Sequence, residues 1–307
     1  MTAACPSPLR RRLLAAGGAL LGPALLPSIA RAGDTWQPAV LPQARQHDLA
    51  SSITGQRYRI FVTVPETPAP AAGYRVLYAL DGNASFPLLS LMARTAARRS
   101  EAAPVIVGIG YASAGDYDLA GRARDYTPPS ASAPGTEGGA DRFLDFIEQE
   151  LKPLVRSLAA VDPQRQALYG HSFGGLCALH ALFTRPGMFQ TYIAASPSIW
   201  YRERIVLAGL DGLQKRTAAL AVKPSLLLTA GELEQPAPGA AGSGTKAGPR
   251  DALLEQRRMV GAARELAAQL AAMPGTMAHV QFQLLAHESH GSAAFPAMSR
   301  GMELFLG

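Results

Sequence analysis

The residue pattern with the clearest chemical potential surrounds a serine. Residues 166–175 read QALYGHSFGG, in which Gly170 and Gly174 flank Ser172 in a G-x-S-x-G arrangement. This pattern is typical of a sharp strand-to-helix turn, in which the serine backbone is strained and its neighbours must lack side chains. An exposed serine on such a turn can attack a carbonyl carbon. The same pattern also arises by chance, so its meaning depends on partners elsewhere in the chain.

A serine hydroxyl becomes an effective nucleophile only when a base accepts its proton, and a histidine usually fills that role. His290 is the strongest candidate, because it lies in the loop after the apolar run VQFQLLA, before a terminal helical segment. His287 lies closer to the end of that run and is the alternative, whereas His279 directly precedes the run and suits a structural role. We therefore predict that His290 is the general base.

The histidine needs a carboxylate that orients it, and the expected chain order is serine, acid, histidine. The sequence GELE follows the apolar run SLLLTA and supplies Glu232 and Glu234 between Ser172 and His290. Glu234 lies further into the loop, where it can reach back to a histidine. We predict Glu234 as the acid and keep Glu232 as the alternative.

Two backbone amides must meet the negative charge that develops when a serine attacks an ester. One is predicted to be the amide of Phe173, directly after the serine. The other is predicted to be the amide of Asn83, in the loop YALDGNASF that follows an earlier apolar run.

The elements that must position these residues alternate along the chain. Short β-rich runs, continuously apolar in the middle and later part of the chain, predict buried and mostly parallel strands; they are 58–64, 74–80, 104–110, 166–170, 189–196, 225–230 and 280–286. Helical patterns lie between them, at 141–155, 174–183 and 250–273. This alternation predicts an α/β fold with a mostly parallel central sheet flanked by helices.

Two segments interrupt the alternation. Residues 112–139 and 234–250 are rich in Gly, Pro, Ala and Ser, and we predict each as a long, mobile loop rather than a domain linker. The first contains Arg122, Arg124 and Tyr126, so a functional role is favoured there.

The first 32 residues differ from the remainder. Three arginines, Arg10–Arg12, precede a short apolar segment and the small-residue sequence Ala30-Arg31-Ala32, a pattern typical of a secretory signal peptide. The paired arginines are compatible with twin-arginine export, and general secretory export stays open. Cleavage after Ala32 would remove four arginines and no acidic residue, so the formal net charge would fall from +6 to +2. This removes the main support for nucleic-acid binding, and the broken apolar segment argues against a stable membrane anchor.

Cysteine usage is sparse. Cys5 would leave with the signal, so the mature chain would keep only Cys177, and no disulfide can form within it. Cys177 lies in an apolar helical run and is predicted to be a packed core thiol.

Six motifs in this order resemble the α/β-hydrolase esterases that include the siderophore esterases of the enterobactin, salmochelin and bacillibactin type. They are LYALDGNASF, RDYTPP, GGADRFLDFIEQELKPLV, YGHSFGGLCALHALF, YIAASPSIWY and ESHGS, and the resemblance covers residues 45–306. It implies one α/β-hydrolase domain over 33–307. It also implies the catalytic set Ser172, His290 and Glu234, with oxyanion amides at Asn83 and Phe173. The insert after Glu234 is longer than this family leads us to expect.

The resemblance implies a serine esterase that acts through an acyl-enzyme, and the predicted signal peptide implies a periplasmic or secreted location. No metal or organic cofactor is expected, because the sequence contains no Cys/His ligand cluster. The partner of such an esterase is then a small-molecule ester, with siderophore trilactones as one candidate; the oligomeric state stays open. An anionic iron complex would suit Arg94, Arg122 and Arg124, and its catechol rings would suit Tyr126 and Trp200. The sequence fits equally well an interpretation in which these arginines form surface ion pairs and Trp200 packs in the core.

Three other functions fit parts of the same pattern. A mycolyltransferase-like acyltransferase would use the same three residues on an alcohol acceptor. A general short-chain or aryl esterase would need no siderophore site. A binding protein that has lost catalysis is disfavoured, because the serine and the histidine are both present.

Overall fold

The computed structural model describes residues 39–98, 103–113, 115–131, 135–236 and 249–307. The predicted signal segment, residues 1–32, and most of the predicted loop 234–250 lie outside these ranges. Leu41–Gly307 forms one compact unit. Among the described residues, no helix is both long enough and apolar enough to cross a membrane.

A single eight-stranded sheet forms the centre of this unit, in the order β1-β2-β4-β3-β5-β6-β7-β8. The strands β1 and β2 are antiparallel to each other and β2 is antiparallel to β4, whereas all later neighbours pair in parallel. The strands are β1 (Ala44–Ala50), β2 (Arg57–Thr63), β3 (Tyr74–Leu80), β4 (Val105–Tyr111), β5 (Val161–His171), β6 (Thr191–Ala195), β7 (Ser225–Gly231) and β8 (His279–Leu285).

Helices flank the sheet. They are α1 (Gly82–Ala97), α2 (Leu119–Tyr126), α3 (Ala140–Phe146), α4 (Lys152–Leu158), α5 (Phe173–Thr184), α6 (Tyr201–Arg204), α7 (Leu213–Ala218), α8 (Pro249–Arg257), α9 (Met259–Ala271) and α10 (Ala294–Leu306). A π-helical turn, Ile147–Leu151, joins α3 to α4, and 3₁₀ turns cover Ile205–Leu210 and Glu232–Glu234.

The core lies on both faces of the sheet, because side chains alternate along each strand. In β3, Val76 and Tyr78 face a cluster that includes α5 and α9, whereas Leu77 and Ala79 face a cluster that includes α1 and α10. Both faces of the central strands are therefore covered, which is why these strands are continuously apolar. The predicted α/β class is confirmed.

Helices α1, α6 and α7 were not among the predicted helical patterns, and the structure differs from the sequence-based expectation in three further elements. Strand β1 was not predicted, because its residues are mostly half-buried or exposed and carry no apolar run. Helix α2 lies inside the segment 112–139 that was predicted as a loop. The predicted helix 250–273 is two helices, since Arg258 has a φ of 49° and interrupts it.

Candidate active site

Ser172 lies on a strained turn between β5 and α5. Its φ of 60° and ψ of −115° are rarely adopted by a residue with a side chain. The surrounding glycines are a steric requirement, because a Cβ on Gly170 would lie 2.1 Å from the carbonyl oxygen of Gly174. Hydrogen bonds hold the turn in place: Ser172 N donates to Ala195 O on β6 over 3.0 Å. The predicted strand-turn-helix context of the serine is therefore present.

A continuous hydrogen-bonded chain joins the serine, the histidine and the acid. His290 Nε2 lies 3.0 Å from Ser172 Oγ, and His290 Nδ1 lies 2.7 Å from Glu234 Oε2. A carboxylate only accepts hydrogen bonds, so Nδ1 carries the ring proton and Nε2 is free to accept the serine proton. The three groups come from the carboxyl ends of β5, β7 and β8, which a parallel sheet brings to one edge.

The alternative acid and base lie near each other, apart from this chain. Glu232 Oε2 accepts a hydrogen bond from the backbone N–H of His287 over 2.8 Å, and His287 Nδ1 lies 3.7 Å from the same oxygen. The His287 side chain is 93% exposed. In this arrangement Glu232 supports the loop that carries His290.

Glu234 is almost completely buried, with 1% of its side chain exposed. Burial opposes ionisation, but hydrogen bonds from His290, from Ser196 Oγ (2.5 Å) and from Gly231 N (2.6 Å) outweigh it and lower the pKa of Glu234. The carboxylate is therefore ionised and has both oxygens occupied, an arrangement suited to orienting an imidazole.

A second histidine supports the first. His171 Nε2 donates to the backbone carbonyl of His290 over 2.8 Å, and the two rings lie 4.8 Å apart. Burial lowers the pKa of His171 to about 4, and the nearby His290 adds to the effect. His171 is thus a neutral donor that holds the backbone of His290.

The predicted oxyanion donors lie in the first turns of two helices whose preceding strands are neighbours. Asn83 follows β3 and Phe173 follows β5. Backbone N–H groups in a first helical turn have no partner within the helix, so they are available to an oxygen. The Asn83 side chain fixes the first turn, because its Oδ1 accepts from Tyr111 N (2.9 Å) and its Nδ2 donates to Tyr111 O (3.2 Å).

Arg122 links these two turns from the side. Its Nε donates to Asp81 Oδ1 over 2.7 Å, and its Nη2 donates to His171 O over 3.3 Å. Asp81 precedes the Gly82-Asn83 turn and His171 precedes the serine. Both charged side chains are buried. The charge of Arg122, which was predicted to bind substrate, is therefore balanced by Asp81 within the protein, and its hydrogen bonds connect the two turns.

The serine opens into a cavity of about 280 Å³. Its lining combines the hydrogen-bonded chain with aromatic and cationic side chains from other elements: Arg122, Ser172, Phe173, Ser198, Trp200, Glu234, Leu254, Arg257, Met259 and His290. Trp200 was predicted here. Arg257 was not, because nothing in a polar helical pattern marks which arginine faces inward.

Three of the predicted substrate-binding residues lie elsewhere. Arg94 lines a different cavity, of about 260 Å³, beside α1. Arg124 donates two hydrogen bonds of 2.9 Å to Asp125. Tyr126 is fully buried, and its hydroxyl accepts from Asp81 N over 3.1 Å, so no ring face is open to a ligand. The structure thus brings Arg122 and Trp200 to the cavity, but not these three.

Two supporting residues escaped the sequence analysis: Asp81 and Ser196. Asp81 carries a weak signal, since it stands in the LDGN sequence before the predicted oxyanion amide. Ser196 carries none, because its contact with Glu234 depends on β6 lying beside β7. Within the described ranges, no group of three or more His, Cys, Asp or Glu side chains is placed to hold a metal ion.

Comparison with known proteins places these features in context. The family model described as "Putative esterase" matches residues 51–234. The "Ferri-bacillibactin esterase BesA" of Bacillus subtilis is 34% identical over 288 residues, which cover 89% of this chain and 93% of that protein. The "Siderophore enterobactin esterase" of Emericella nidulans is 35% identical over 87% of this chain and 96% of its own length.

A solved structure of a related protein has a similar fold. The "Siderophore hydrolase EstA" from Aspergillus nidulans superposes with a TM-score of 0.77 at 33% identity, covering 88% of this chain and 96% of that one. The fold is therefore of the α/β-hydrolase type.

Proposed function

Because the chain belongs to the family described as "Putative esterase", we propose that it is a serine esterase with Ser172 as nucleophile, His290 as base and Glu234 as the orienting acid. One observation carries the proposal: the unbroken hydrogen-bonded chain of 3.0 Å and 2.7 Å through His290. Such a chain allows a serine to lose its proton as it attacks.

The proposed reaction proceeds in two halves. Ser172 Oγ attacks the ester carbonyl while His290 Nε2 takes its proton, and the backbone amides of Asn83 and Phe173 donate hydrogen bonds to the resulting oxyanion. Collapse breaks the ester bond, and His290 returns the proton to the departing alkoxide. Water then repeats the sequence on the acyl-enzyme and releases the acid.

We propose a siderophore ester as the substrate, with a trilactone as the leading candidate. Support comes from the relatives named above and from the cationic and aromatic lining of the cavity. At about 280 Å³ the cavity holds only one arm of a large ester, so the remainder would extend beyond it.

Hydrolysis of a p-nitrophenyl butyrate by the wild type and by Ser172→Ala tests the reaction. We expect the variant to lose about five to six orders of magnitude in kcat, since serine and histidine act as one unit. A fluorophosphonate probe should label Ser172 alone. Turnover of the variant near the wild-type rate, or labelling of another residue, would reject the mechanism.

A panel of cyclic and linearised siderophore trilactones, free and iron-loaded, tests the substrate. Preferential cleavage of one of these over simple aryl esters supports it, whereas a preference for the aryl esters supports a general esterase. We also propose export to the periplasm or the medium; finding the uncleaved chain in the cytoplasm of the native host would contradict it.

A further inference from the structure

Arg257 is the last residue of α8 and lines the same cavity as Ser172. Its guanidinium carbon lies 4.4 Å from the centre of the Trp200 ring, which also lines the cavity. A guanidinium stacked on an indole is held in place by a cation–π interaction, while its edge stays available for hydrogen bonds.

Arg257 differs from Arg122 because its charge has no counterpart. In the part of the chain that the structure describes, no carboxylate lies within ion-pair distance of it, and its Nε is buried without a hydrogen-bond partner. A buried donor without a partner loses its hydration without compensation, and a charged donor loses more. Ring stacking and a favourable position at a helix carboxyl end explain its location. Neither the stacking nor the helix position explains why Arg257 Nε has no hydrogen-bond partner.

The charges around the cavity leave Arg257 as the exception. Arg122 is paired with Asp81, and the one acidic residue of the lining, Glu234, is buried and bonded to His290. The described lining therefore contains one positive charge without a balancing group. An anionic oxygen group on a ligand would accept a hydrogen bond from Arg257 Nε and would also balance the positive charge of the guanidinium.

We propose that Arg257 is a specificity-determining residue, which binds a negatively charged oxygen group on the ester substrate while Trp200 holds the guanidinium plane. The proposal rests on the esterase function and adds to it a substrate class: esters with an anionic group in reach of the reacting carbonyl. In this proposal the cation that binds the anionic group of the substrate is Arg257, and not Arg94 or Arg124.

The test uses p-nitrophenyl monoesters of adipic, pimelic and suberic acid, each paired with its methyl ester, so that the members of a pair differ in one charge. For the best chain length we expect the wild type to prefer the anionic ester by about tenfold or more in kcat/KM, the size of a hydrogen bond to a charged group. Arg257→Ala should bring this ratio to about one, and Arg257→Lys should restore part of it.

Arg264→Ala is the matched control. Arg264 also lies over an aromatic ring, Phe282 at 5.4 Å, but it does not line the cavity. The control should keep the wild-type ratio. An unchanged ratio in Arg257→Ala, or an equal drop in Arg264→Ala, would overturn the proposal.

A binding measurement separates this proposal from the esterase proposal. In the Ser172→Ala background, calorimetry with the p-nitroanilide of the best dicarboxylic acid reports recognition without turnover. Loss of binding on adding Arg257→Ala supports the role of Arg257 even if the wild type hydrolyses no ester. Equal affinity with and without Arg257 rejects it, whatever the activity.

Discussion

Two halves of the same cavity are built in different ways. The catalytic half takes Ser172, Glu234 and His290 from the carboxyl ends of three parallel strands, and each of these side chains has a hydrogen-bond partner. The arginine half takes Arg122 from α2 and Arg257 from α8, two helices outside the sheet. Arg122 is paired with a carboxylate, and Arg257 has no ion pair within the described residues.

The difference separates preorganisation from recognition. Groups that act in the reaction must be in place before substrate arrives, so the protein supplies their partners itself. A group that recognises a ligand must keep its hydrogen-bonding capacity for that ligand. By this criterion Arg122 belongs with the catalytic half, although it enters from a helix, whereas Arg257 keeps an unpaired donor in the same lining.

Among changes that leave the nucleophile in place, the largest expected effect is on the orienting acid of the catalytic half. Glu234→Gln should lower kcat by about four orders of magnitude, because the amide cannot fix the histidine tautomer or stabilise the imidazolium. Glu232→Gln should stay within a few-fold of the wild type, since Glu232 supports only the loop backbone. Steady-state kinetics on a chromogenic ester measures both. The reverse ranking would assign the acid to Glu232.

The next effect concerns the turn beneath the serine. Gly170→Ala should lower the free energy of unfolding by about 4 kcal/mol or more, because the new Cβ meets a backbone oxygen that cannot move aside. In Gly291→Ala, beside the histidine, no atom lies within 4 Å of the added carbon, so stability should change by about 0.5 kcal/mol or less. Urea denaturation compares the two variants. Similar stabilities would show that the turn is less constrained than its geometry indicates.

The two arginines themselves give a direct test of the comparison. Arg122→Ala should destabilise the protein by about 3 kcal/mol or more, because it leaves Asp81 buried without its cation. Arg257→Ala should cost about 1 kcal/mol or less, the size of its cation–π contact. Adding Asp81→Asn to Arg122→Ala should recover stability, since the uncompensated charge disappears. Equal losses for the two single variants would abolish the distinction.

A further expected effect is a pH dependence of the free energy of unfolding. The folded pKa of His171 is about 4, below its ordinary value of about 6.5, so the unfolded chain binds more protons between these values. The contribution of His171 to stability is therefore complete above pH 6.5 and is lost as pH falls toward 4, by at most about 1.4 kcal/mol per pH unit. His171→Gln should flatten the unfolding curve in this window. Parallel curves for variant and wild type would contradict the buried neutral histidine.

The catalytic half was largely accessible from the sequence, for a physical reason. Its residues follow short, β-rich apolar runs that are typical of buried strands, and the carboxyl ends of parallel strands lie at one edge of the sheet. The glycines around Ser172 and the position of His290 after a strand can be recognised from neighbouring residues in the sequence. The geometry agrees with these predictions, while the catalytic roles await the kinetic tests.

The arginine half was not accessible in the same way. Arg94, Arg122 and Arg124 look alike in the sequence, and only tertiary packing separates the one paired with Asp81 at the site from the two that lie elsewhere. Arg257 was missed because the helix 250–273 is interrupted at Arg258, which ends α8 beside the cavity. No glycine or proline occurs at Arg258 itself to indicate that the helix is interrupted there.

The backbone of Ser172 has one further consequence. Its φ of 60° and ψ of −115° would be least strained in glycine, which adopts such angles without a steric penalty. Folding and chemistry therefore make opposite demands on a single residue. A library of variants selected only for thermal resistance should accumulate glycine there and lose turnover, so stabilisation of this protein must begin elsewhere in the chain.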